Sequence, residues 1–267
     1  MQFKLKKFKK TVWDYYCKYG RKKLSWRHTR DPYKILVSEV MLQQTQVARV
    51  LKYYPKFLEA FPSFEKLARA SLKKVLRVWQ GMGYNRRAVA LKKLASIIID
   101  HYGGELPRDV ETLKSLPGIG PATAGAIMAY AFSKPSVFIE TNIRRVFIHE
   151  FFARRKKIND RETLRLVELT VGRKNPREWY WALTDYGTML AAREKENPNV
   201  RSTAYRKQPK FEGSNRQARG RVLKLLLARG RVAKKEMRRF QAVVPELIRE
   251  GFIRIKNGTY RLGRLNK

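Results

Sequence analysis

The sequence predicts an all-α body followed by a small α+β unit. Apolar residues recur with helical spacing from Pro32 to about Ala192, and the alternation typical of strands is rare there. Asp31 is suited to be the N-cap of the first helix in this stretch, with Pro32 at its first position. Further helices are predicted at residues 48–60, 63–69, 71–80, 85–102, 109–115, 121–132, 141–152, 160–172 and 177–192.

The second unit follows a polar segment with the proline and glycine content of a linker. Beyond it, helices are predicted at 215–229, 233–239 and 241–250, and the alternating run after Phe252 surrounds Asn257-Gly258, a dipeptide that favours a hairpin turn. Three helices closed by a β-hairpin are the pattern of a winged helix. We therefore expect a helical domain at 1–195 with a basic arm at 1–10, a linker at 196–214 and a winged-helix-like domain at 215–267.

Charge is the feature that departs most from an ordinary composition. The chain has 60 Lys and Arg against 22 Asp and Glu, a formal net charge of +38. Such an excess repels itself unless a polyanion screens it, which favours nucleic acid as the partner over a merely solvated basic surface. An acidic membrane surface is the other option, but no stretch has the roughly 20 consecutive apolar residues of a membrane span. The first ten residues lack the apolar core of a signal peptide, so we expect a cytoplasmic, nucleoid-associated protein.

Metal chemistry is not expected. Cys17 is the single cysteine, which excludes an internal disulfide and any cysteine-ligated zinc or iron–sulfur site within one chain. The three histidines, His28, His101 and His149, lack the spacing of metal ligands.

The segment LPGIGPATA, residues 116–124, predicts two helices joined by a hairpin that contains two glycines. Gly118 and Gly120 allow backbone N–H groups to approach a phosphate closely, and the next helix, which includes Thr123, adds the favourable dipole of its N-terminus. Such a helix-hairpin-helix holds a DNA backbone without reading its sequence. An ordinary helix connection with two glycines is the alternative.

Two acidic residues are candidates for chemistry. Glu39 lies on an otherwise apolar helix, where an ionised carboxylate is costly unless it is paired or protonated; the alternative is a solvent-facing glutamate. Glu140 is placed at the start of a helix, where a carboxylate can be simply a cap. Gln43 and Gln44, close to Glu39, have donors and acceptors suited to base edges.

Taken together, the motifs resemble those of the helix-hairpin-helix DNA glycosylases and, within them, the MutY-type adenine glycosylases. The similarity covers roughly residues 20–195. It implies two helical subdomains with a cleft, and a monomeric enzyme that removes a mispaired adenine opposite guanine or 8-oxoguanine in double-stranded DNA. The motifs are Trp26-Arg27, Asp31-Pro-Tyr-Lys34, SEVMLQQTQV at 38–47, GMGY at 81–84, LPGIG and the segment around Glu140.

The resemblance also implies a role for each matching position. Glu39 corresponds to the general acid that protonates the adenine, and Glu140 falls where the family has an aspartate that stabilises the sugar cation. Gln43 and Gln44 correspond to residues at the space opposite the flipped base, and Tyr84 to an intercalating wedge. Trp26 and Arg27 correspond to the wall of the adenine pocket.

Bifunctional relatives carry a Schiff-base lysine where this chain has Ala122, so the resemblance implies base removal without strand cleavage.

The chain departs from the family pattern at four places. It lacks the four cysteines that ligate a [4Fe–4S] cluster, so we expect a cluster-less form in which Arg201, Arg206 and Lys207 contact phosphates. Glu140 replaces a shorter aspartate. Trp181 stands where the family has Gln or Glu at the adenine edge, with Asp185 as a possible substitute carboxylate. The winged-helix-like unit replaces the domain that recognises 8-oxoguanine; its basic helices are suited either to DNA beside the lesion or to a protein contact.

Two other functions stay open at this point. Trp181 and Glu140 are compatible with a glycosylase for another base, such as thymine or uracil opposite guanine, or a damaged purine. A non-catalytic DNA-binding protein on the same scaffold is the third possibility, although binding alone does not require the acid at Glu39.

Overall fold

The computed structural model describes residues 2–263, and most of them are helical. Among these residues, no helix is both long and apolar enough to cross a membrane. Short 3₁₀ helices lie at Ser25–Arg27, Pro198–Arg201 and Arg238–Phe240. The other elements are α1 (Gln2–Tyr19), α2 (Pro32–Leu42), α3 (Val47–Ala60), α4 (Phe64–Arg69), α5 (Leu72–Val78), α6 (Arg86–Tyr102), α7 (Val110–Ser115), α8 (Pro121–Phe132), α9 (Thr141–Phe151), α10 (Asp160–Thr170), α11 (Pro176–Arg193), α12 (Asn215–Arg229), β1 (Arg231–Ala233), α13 (Lys234–Met237), α14 (Val244–Arg249), β2 (Ile253–Lys256) and β3 (Thr259–Leu262).

The predicted fold class is confirmed, and α3 to α12 begin and end within about two residues of their predicted bounds. The predicted cap of α2 is present, because Asp31 Oδ1 accepts hydrogen bonds from the backbone N–H groups of Tyr33 at 2.9 Å and Lys34 at 3.3 Å.

The prediction of a basic arm at residues 1–10 is wrong, because α1 already begins at Gln2. Phe8, Val12 and Tyr16 lie at four-residue spacing on one face of α1 and are all buried. The burial of this apolar stripe makes the segment helical despite its many lysines, whose side chains lie on the remaining faces.

The described residues form two compact units. The first contains residues 2–39, 107–115 and 119–207, and α1, α8, α9 and α11 supply most of its core. Aromatic side chains dominate that core: the ring of Phe8 lies 5.2 Å from that of Phe147 and 6.0 Å from that of Trp179.

The second unit contains residues 40–106, 116–118 and 208–263. Phe57 on α3 packs edge-on against Trp79, with 5.6 Å between ring centroids, and both side chains are fully buried. The helices of the C-terminal segment pack in the same unit around Leu226, Leu247 and Phe252, which are also buried.

The C-terminal segment has the predicted hairpin. Asn257 and Gly258 both have positive φ, 49° and 66°, as a type I′ turn between β2 and β3 requires. β1 completes an antiparallel sheet of order β1-β3-β2, with Val232 opposite Tyr260. β1 is not predicted from the sequence, because a strand of three residues has too little alternation to be detected.

Part of the predicted linker is structured. Asn199 is 2% exposed, and its amide donates to the backbone carbonyl of Thr141 at 3.0 Å. Ser202 forms a parallel bridge with Ile158. Residues 196–207 belong to the first unit and 208–214 to the second, while the predicted domain boundaries stay a prediction.

Candidate active site

Glu39 lies near the end of α2 among buried apolar neighbours and is itself only partly exposed. Burial raises the pKa of its carboxyl from 4.5 to about 8, and the negative charge of Glu140 acts in the same direction. The positive charge of Arg27 lowers this pKa but is the smallest of the three causes. Glu39 is therefore protonated at neutral pH, as a general acid has to be.

Glu140 is the N-cap of α9. Its Oε1 accepts hydrogen bonds from the backbone N–H groups of Asn142 and Ile143, both at 2.9 Å, and its Oε2 lies 3.3 Å from the side-chain amide of Asn142. Burial raises the pKa of Glu140, while these backbone hydrogen bonds oppose the rise. The capping function is therefore real, and it fixes the carboxyl group at the N-terminal end of a helix.

Tyr130 on α8 lies within electrostatic range of both acids. Its side chain is buried, and its pKa is raised well above 10.0 first by burial and then by the negative charges of Glu39 and Glu140. All three groups thus lie within electrostatic reach of one another inside the first unit.

Trp181 on α11 belongs to the same cluster and is 9% exposed. Its ring stacks on Tyr130 at 5.8 Å with 21° between the planes. The guanidinium carbons of Arg177 and Arg27 lie 4.5 Å and 5.2 Å from its centroid. Since three groups already contact this indole, it is a wall of the cluster rather than an open stacking face.

Arg27 and Trp26 lie in the 3₁₀ turn before α2, and both are buried. Asp185 binds Arg27 through both carboxylate oxygens and also accepts from the backbone N–H and Nε of Arg21, at 2.8 Å and 2.7 Å. Burial alone would raise the pKa of Asp185, but the hydrogen bonds and charges of Arg27 and Arg21 lower it overall. Asp185 is thus committed to an ion pair and is not a substitute acceptor for a base edge.

Gln43, Gln44 and Tyr84 lie in the second unit, where Arg87 holds the backbone next to them. Arg87 is 8% exposed, and burial lowers its pKa to about 10. Its guanidinium holds two chain segments together by donating to backbone carbonyls of Val40 (2.9 Å), Met41 (2.8 Å), Gln43 (2.6 Å), Met82 (3.3 Å) and Gly83 (3.1 Å), and to Oγ1 of Thr45 (3.0 Å).

Gln44 and Tyr84 each follow one of these segments and have positive φ, 50° and 47°. Such a backbone is uncommon for residues other than glycine and is found where the surroundings hold it in place, often at binding sites. Gln44 is exposed and Tyr84 partly exposed. Gln43 is directed differently, because its side-chain amide donates to the carbonyl of Gly118 at 3.2 Å.

The backbone conformation and the neighbouring atoms differ between the two hairpin glycines, Gly118 and Gly120. Gly118 has φ +80°, and a Cβ there would lie 2.8 Å from the Cβ of Ala90. Gly120 is the N-cap of α8 with φ −92°, and a Cβ there would have open space around it. The fold therefore requires glycine at Gly118 but not at Gly120. Thr123 lies in the first turn of α8.

The residues do not fit the family's iron–sulfur cluster. Cys17 is exposed on α1, and no group of three His, Cys, Asp or Glu side chains suited to a metal occurs among residues 2–263. In the polar segment after α11, Arg201 donates to the carbonyls of Phe152 and Ala153. Arg206 likewise donates to carbonyls of its own loop, so the guanidinium groups of both arginines hold the backbone there.

Sequence reasoning missed Tyr130, Arg177 and Arg87 as parts of these clusters. A signal existed for one group: Arg177, Trp181 and Asp185 are spaced by four residues on one face of α11 and are all buried. The other contacts join residues far apart in the sequence, and no local pattern indicates them.

The family follows from a comparison with known proteins. Residues 37–170, about half of the chain, match the model of the HhH-GPD superfamily base excision DNA repair protein. The chain belongs to the HhH-GPD superfamily. Its members include relatives that act on different bases.

An adenine DNA glycosylase of Buchnera aphidicola subsp. Baizongia pistaciae is 34% identical over 72% of this chain and 55% of the relative. A thymine/uracil-DNA glycosylase of Methanothermobacter thermautotrophicus is 33% identical over 66% of this chain and 80% of the relative. The chain thus spans little more than half of the first of these HhH-GPD relatives.

Solved structures agree on the fold. A thermostable thymine-DNA glycosylase is similar with a TM-score of 0.65 and 30% identity, covering 73% of this chain and 91% of its own. Endonuclease III in a non-covalent DNA complex has a TM-score of 0.63 at 20% identity, covering 73% and 89%, and supports the fold alone.

Proposed function

We propose that this HhH-GPD protein is a monofunctional DNA glycosylase that removes an adenine mispaired with guanine or 8-oxoguanine. The observation that supports this most directly is the buried carboxyl of Glu39, whose pKa of about 8 keeps it protonated at neutral pH. A purely structural acid gains nothing from such a position, since burial of the carboxyl is costly.

Glu39 donates its proton to a ring nitrogen of the flipped adenine. The bond between C1′ of the sugar and the base then breaks, and its electron pair leaves with the neutral adenine. The sugar becomes an oxocarbenium ion, which the carboxylate of Glu140 stabilises through its negative charge. Glu39, now ionised, accepts a proton from the water that adds to C1′, which restores the acid.

Glu140 suits this role despite its longer side chain. Its Oε1 is fixed by two backbone N–H groups, while its Oε2 has one longer contact. A fixed carboxylate with one less engaged oxygen provides a preorganised negative charge for the cation.

Strand cleavage is not part of the proposal. Ala122 offers no amine at the position of the Schiff-base lysine, so no covalent sugar intermediate with that side chain forms. The reaction as written also needs no cofactor, and a monomer supplies both acids.

Binding of the duplex is attributed to the net charge of +38 and to the hairpin before α8. Gly120 supports this, because neither its φ nor its neighbours require glycine, whereas close approach of a phosphate does. Gln43, Gln44 and Tyr84 are assigned to the space left in the duplex and to the opposite strand.

The test is a set of duplexes with A opposite 8-oxoguanine, A opposite G, T opposite G and U opposite G, and a fully paired control. Each is incubated with the protein and then analysed with and without hot alkali. Breaks that require alkali, in the adenine mismatches, are the expected result. Breaks without alkali would contradict monofunctional action, and tight binding without abasic sites would leave a non-catalytic DNA-binding protein.

Glu39→Gln supplies the matched control. Gln has nearly the same shape but no acidic proton, so base release should fall by at least about 10²-fold while DNA affinity changes little. Equal turnover in the variant would remove Glu39 from the role of acid.

The second candidate is a glycosylase for thymine or uracil opposite guanine. Trp181, enclosed by Tyr130 and two arginines, supplies no carboxylate or amide for an adenine edge. The similarity to a thymine/uracil-DNA glycosylase over most of that relative's length favours this alternative as well. Alkali-dependent breaks in the T and U mismatches alone would select it.

A further inference from the structure

Gln208 and Arg216, at the start of the C-terminal segment, contact Gln44 and Tyr84, two of the three residues assigned to the space left in the duplex and to the opposite strand. The side-chain amide of Gln208 donates to Oε1 of Gln44 at 3.1 Å and also to the hydroxyl of Tyr84. Nη1 of Arg216 donates to the same hydroxyl at 2.7 Å, and the guanidinium carbon lies 5.7 Å from the Tyr84 ring. All four residues belong to the second unit.

An ion-pair network fixes α12, which carries Arg216, to the rest of this unit. Arg86, at the start of α6, pairs with Glu246 and Glu250. Arg219 on α12 pairs with the same two glutamates, with 2.9 Å to Glu246. Because Arg86 lies two residues after Tyr84, the network holds α12 beside the turn that presents Tyr84.

Gln44 and Tyr84 themselves are held in positive-φ conformations by the Arg87 contacts described above. Four side chains with hydrogen-bonding groups therefore converge on one partly exposed patch, and two of them come from outside the segment that resembles the family. We call the side chains of Gln44, Tyr84, Gln208 and Arg216 the opposite-strand patch.

We propose that Gln208 and Arg216 recognise the base that lies opposite the excised nucleotide, and that they select guanine. This proposal rests on the proposed function, since it assigns the opposite-base specificity of that same reaction. Guanine presents two acceptors, O6 and N7, and an arginine fork matches this pair better than any other base edge. Arg216 has five N–H donors, and Nη2 is held by the carbonyl of Pro209 at 2.7 Å, which limits the orientations of the fork.

The side-chain amide nitrogen of the exposed Gln208 already donates to Gln44 and Tyr84, so Gln208 adds its side-chain carbonyl oxygen as an acceptor. Cytosine presents a donor in place of the guanine acceptors, and thymine presents one acceptor and a methyl group. The patch therefore discriminates between opposite bases by the hydrogen-bonding groups that each base presents.

The test uses duplexes with a stable tetrahydrofuran abasic analogue opposite guanine, 8-oxoguanine, cytosine or thymine. These probes contain no base to excise, so their affinities report on the opposite base alone. Fluorescence anisotropy at fixed ionic strength gives Kd for the wild type and for Arg216→Ala, Gln208→Ala and Arg221→Ala. Arg221 lies on the same helix as Arg216 and is exposed. Arg221→Ala is therefore the control that removes one positive charge without changing the patch.

The wild type should bind the guanine duplex more tightly than the cytosine and thymine duplexes. Arg216→Ala should reduce that preference by about fivefold or more. Gln208→Ala should reduce it less, and Arg221→Ala should weaken all four duplexes by one common factor. The proposal would be overturned if the wild type bound all four duplexes equally well. It would also be overturned if Arg216→Ala weakened binding to every duplex by the same factor.

Two controls keep the result interpretable. Thermal unfolding of each variant checks that the fold persists, and Gln208→Ala, an exposed position, retains the test if Arg216→Ala unfolds. Absence of adenine release together with an Arg216-dependent guanine preference would refute the proposed excision but not the opposite-base recognition. Adenine release without any guanine preference would refute the opposite-base recognition but not the proposed excision.

Discussion

Arg27 and Asp185 form a bidentate ion pair, with 2.8 Å between Nη1 and Oδ2 and 2.8 Å between Nη2 and Oδ1. Their side chains are only 5% and 1% exposed. Because the same guanidinium lies 5.2 Å from the ring of Trp181, the pair fixes a positive charge beside the wall of the Glu39 cluster. Asp185 therefore acts on the candidate site through Arg27.

Substitution of Asp185 by asparagine should reduce the free energy of unfolding by about 3–5 kcal/mol, because Arg27 is left buried without its counter-charge. Urea denaturation followed by tryptophan fluorescence measures this loss. The matched control is Asp14→Asn, which breaks the exposed pair with Lys10, 76% and 62% exposed, and should change stability by less than about 1 kcal/mol. Similar losses in the two variants would show that the Arg27 pair contributes no more than a surface pair.

Base release should depend on pH through Glu39. A raised pKa keeps the acid protonated, and therefore active, below about 8, and activity should fall about tenfold per pH unit above that value. An acid with the ordinary pKa of 4.5 would already lose its proton near pH 5. Single-turnover release of adenine between pH 5 and 10 measures the position of the alkaline limb, and a limb below about pH 6 would contradict the desolvated acid.

An NMR titration of the Glu39 carboxyl tests the same cause without reference to activity. The negative charge of Glu140 is the second cause that raises the pKa of Glu39. Glu140→Gln should therefore lower that pKa, although burial, the largest cause, keeps it above 4.5. An unchanged pKa in Glu140→Gln would show that the two carboxyl groups do not interact.

The sequence predicted most helices because their caps and apolar spacing are local. Asp31 before Pro32, and glycine or asparagine at helix ends and turns, mark boundaries that depend on a few neighbouring residues. The basic segment at 2–10 was mispredicted because its lysines obscured the spacing of Phe8, Val12 and Tyr16, whose burial depends on helices more than a hundred residues away.

The candidate site likewise contains residues that can be predicted from their sequence neighbours and residues that cannot. Glu39 could be recognised as an acid on an apolar helix, and Glu140 as a helix-start carboxylate, from neighbouring residues alone. Asp185 could not be assigned from its neighbours, because its partners Arg21 and Arg27 precede it by more than 150 residues. Arg216 and Tyr84 are separated by 132 residues in the sequence, so their contact could not be predicted from neighbouring residues either.

The hairpin glycines should separate folding from binding. Gly118→Ala forces an alanine to φ +80° against Ala90 and should cost about 1–2 kcal/mol of stability from the backbone alone. Gly120→Ala meets open space and should leave the melting temperature nearly unchanged while weakening DNA affinity. Thermal unfolding and anisotropy with a duplex measure the two effects, and unchanged affinity in Gly120→Ala would count against a phosphate contact at that glycine.

Arg87 should be required for both the stability of the second unit and the presentation of Gln44 and Tyr84. Arg87→Met keeps much of the volume but leaves a set of buried carbonyls without their donor, at a cost of about 1–3 kcal/mol for each group that water cannot reach. The variant should also weaken binding to an abasic-analogue duplex, because the two positive-φ residues lose the contacts that hold their backbone.

Lys92→Met is the matched control for Arg87→Met. Lys92 is a second buried cation on α6, and burial lowers its pKa, but it donates to a single carbonyl, that of Ala68, at 2.6 Å. We expect a smaller loss in urea-monitored stability and an unchanged Kd for the abasic-analogue duplex. Equal effects of the two substitutions on Kd would mean that general softening of α6, rather than the positioning of Gln44 and Tyr84 by Arg87, governs binding.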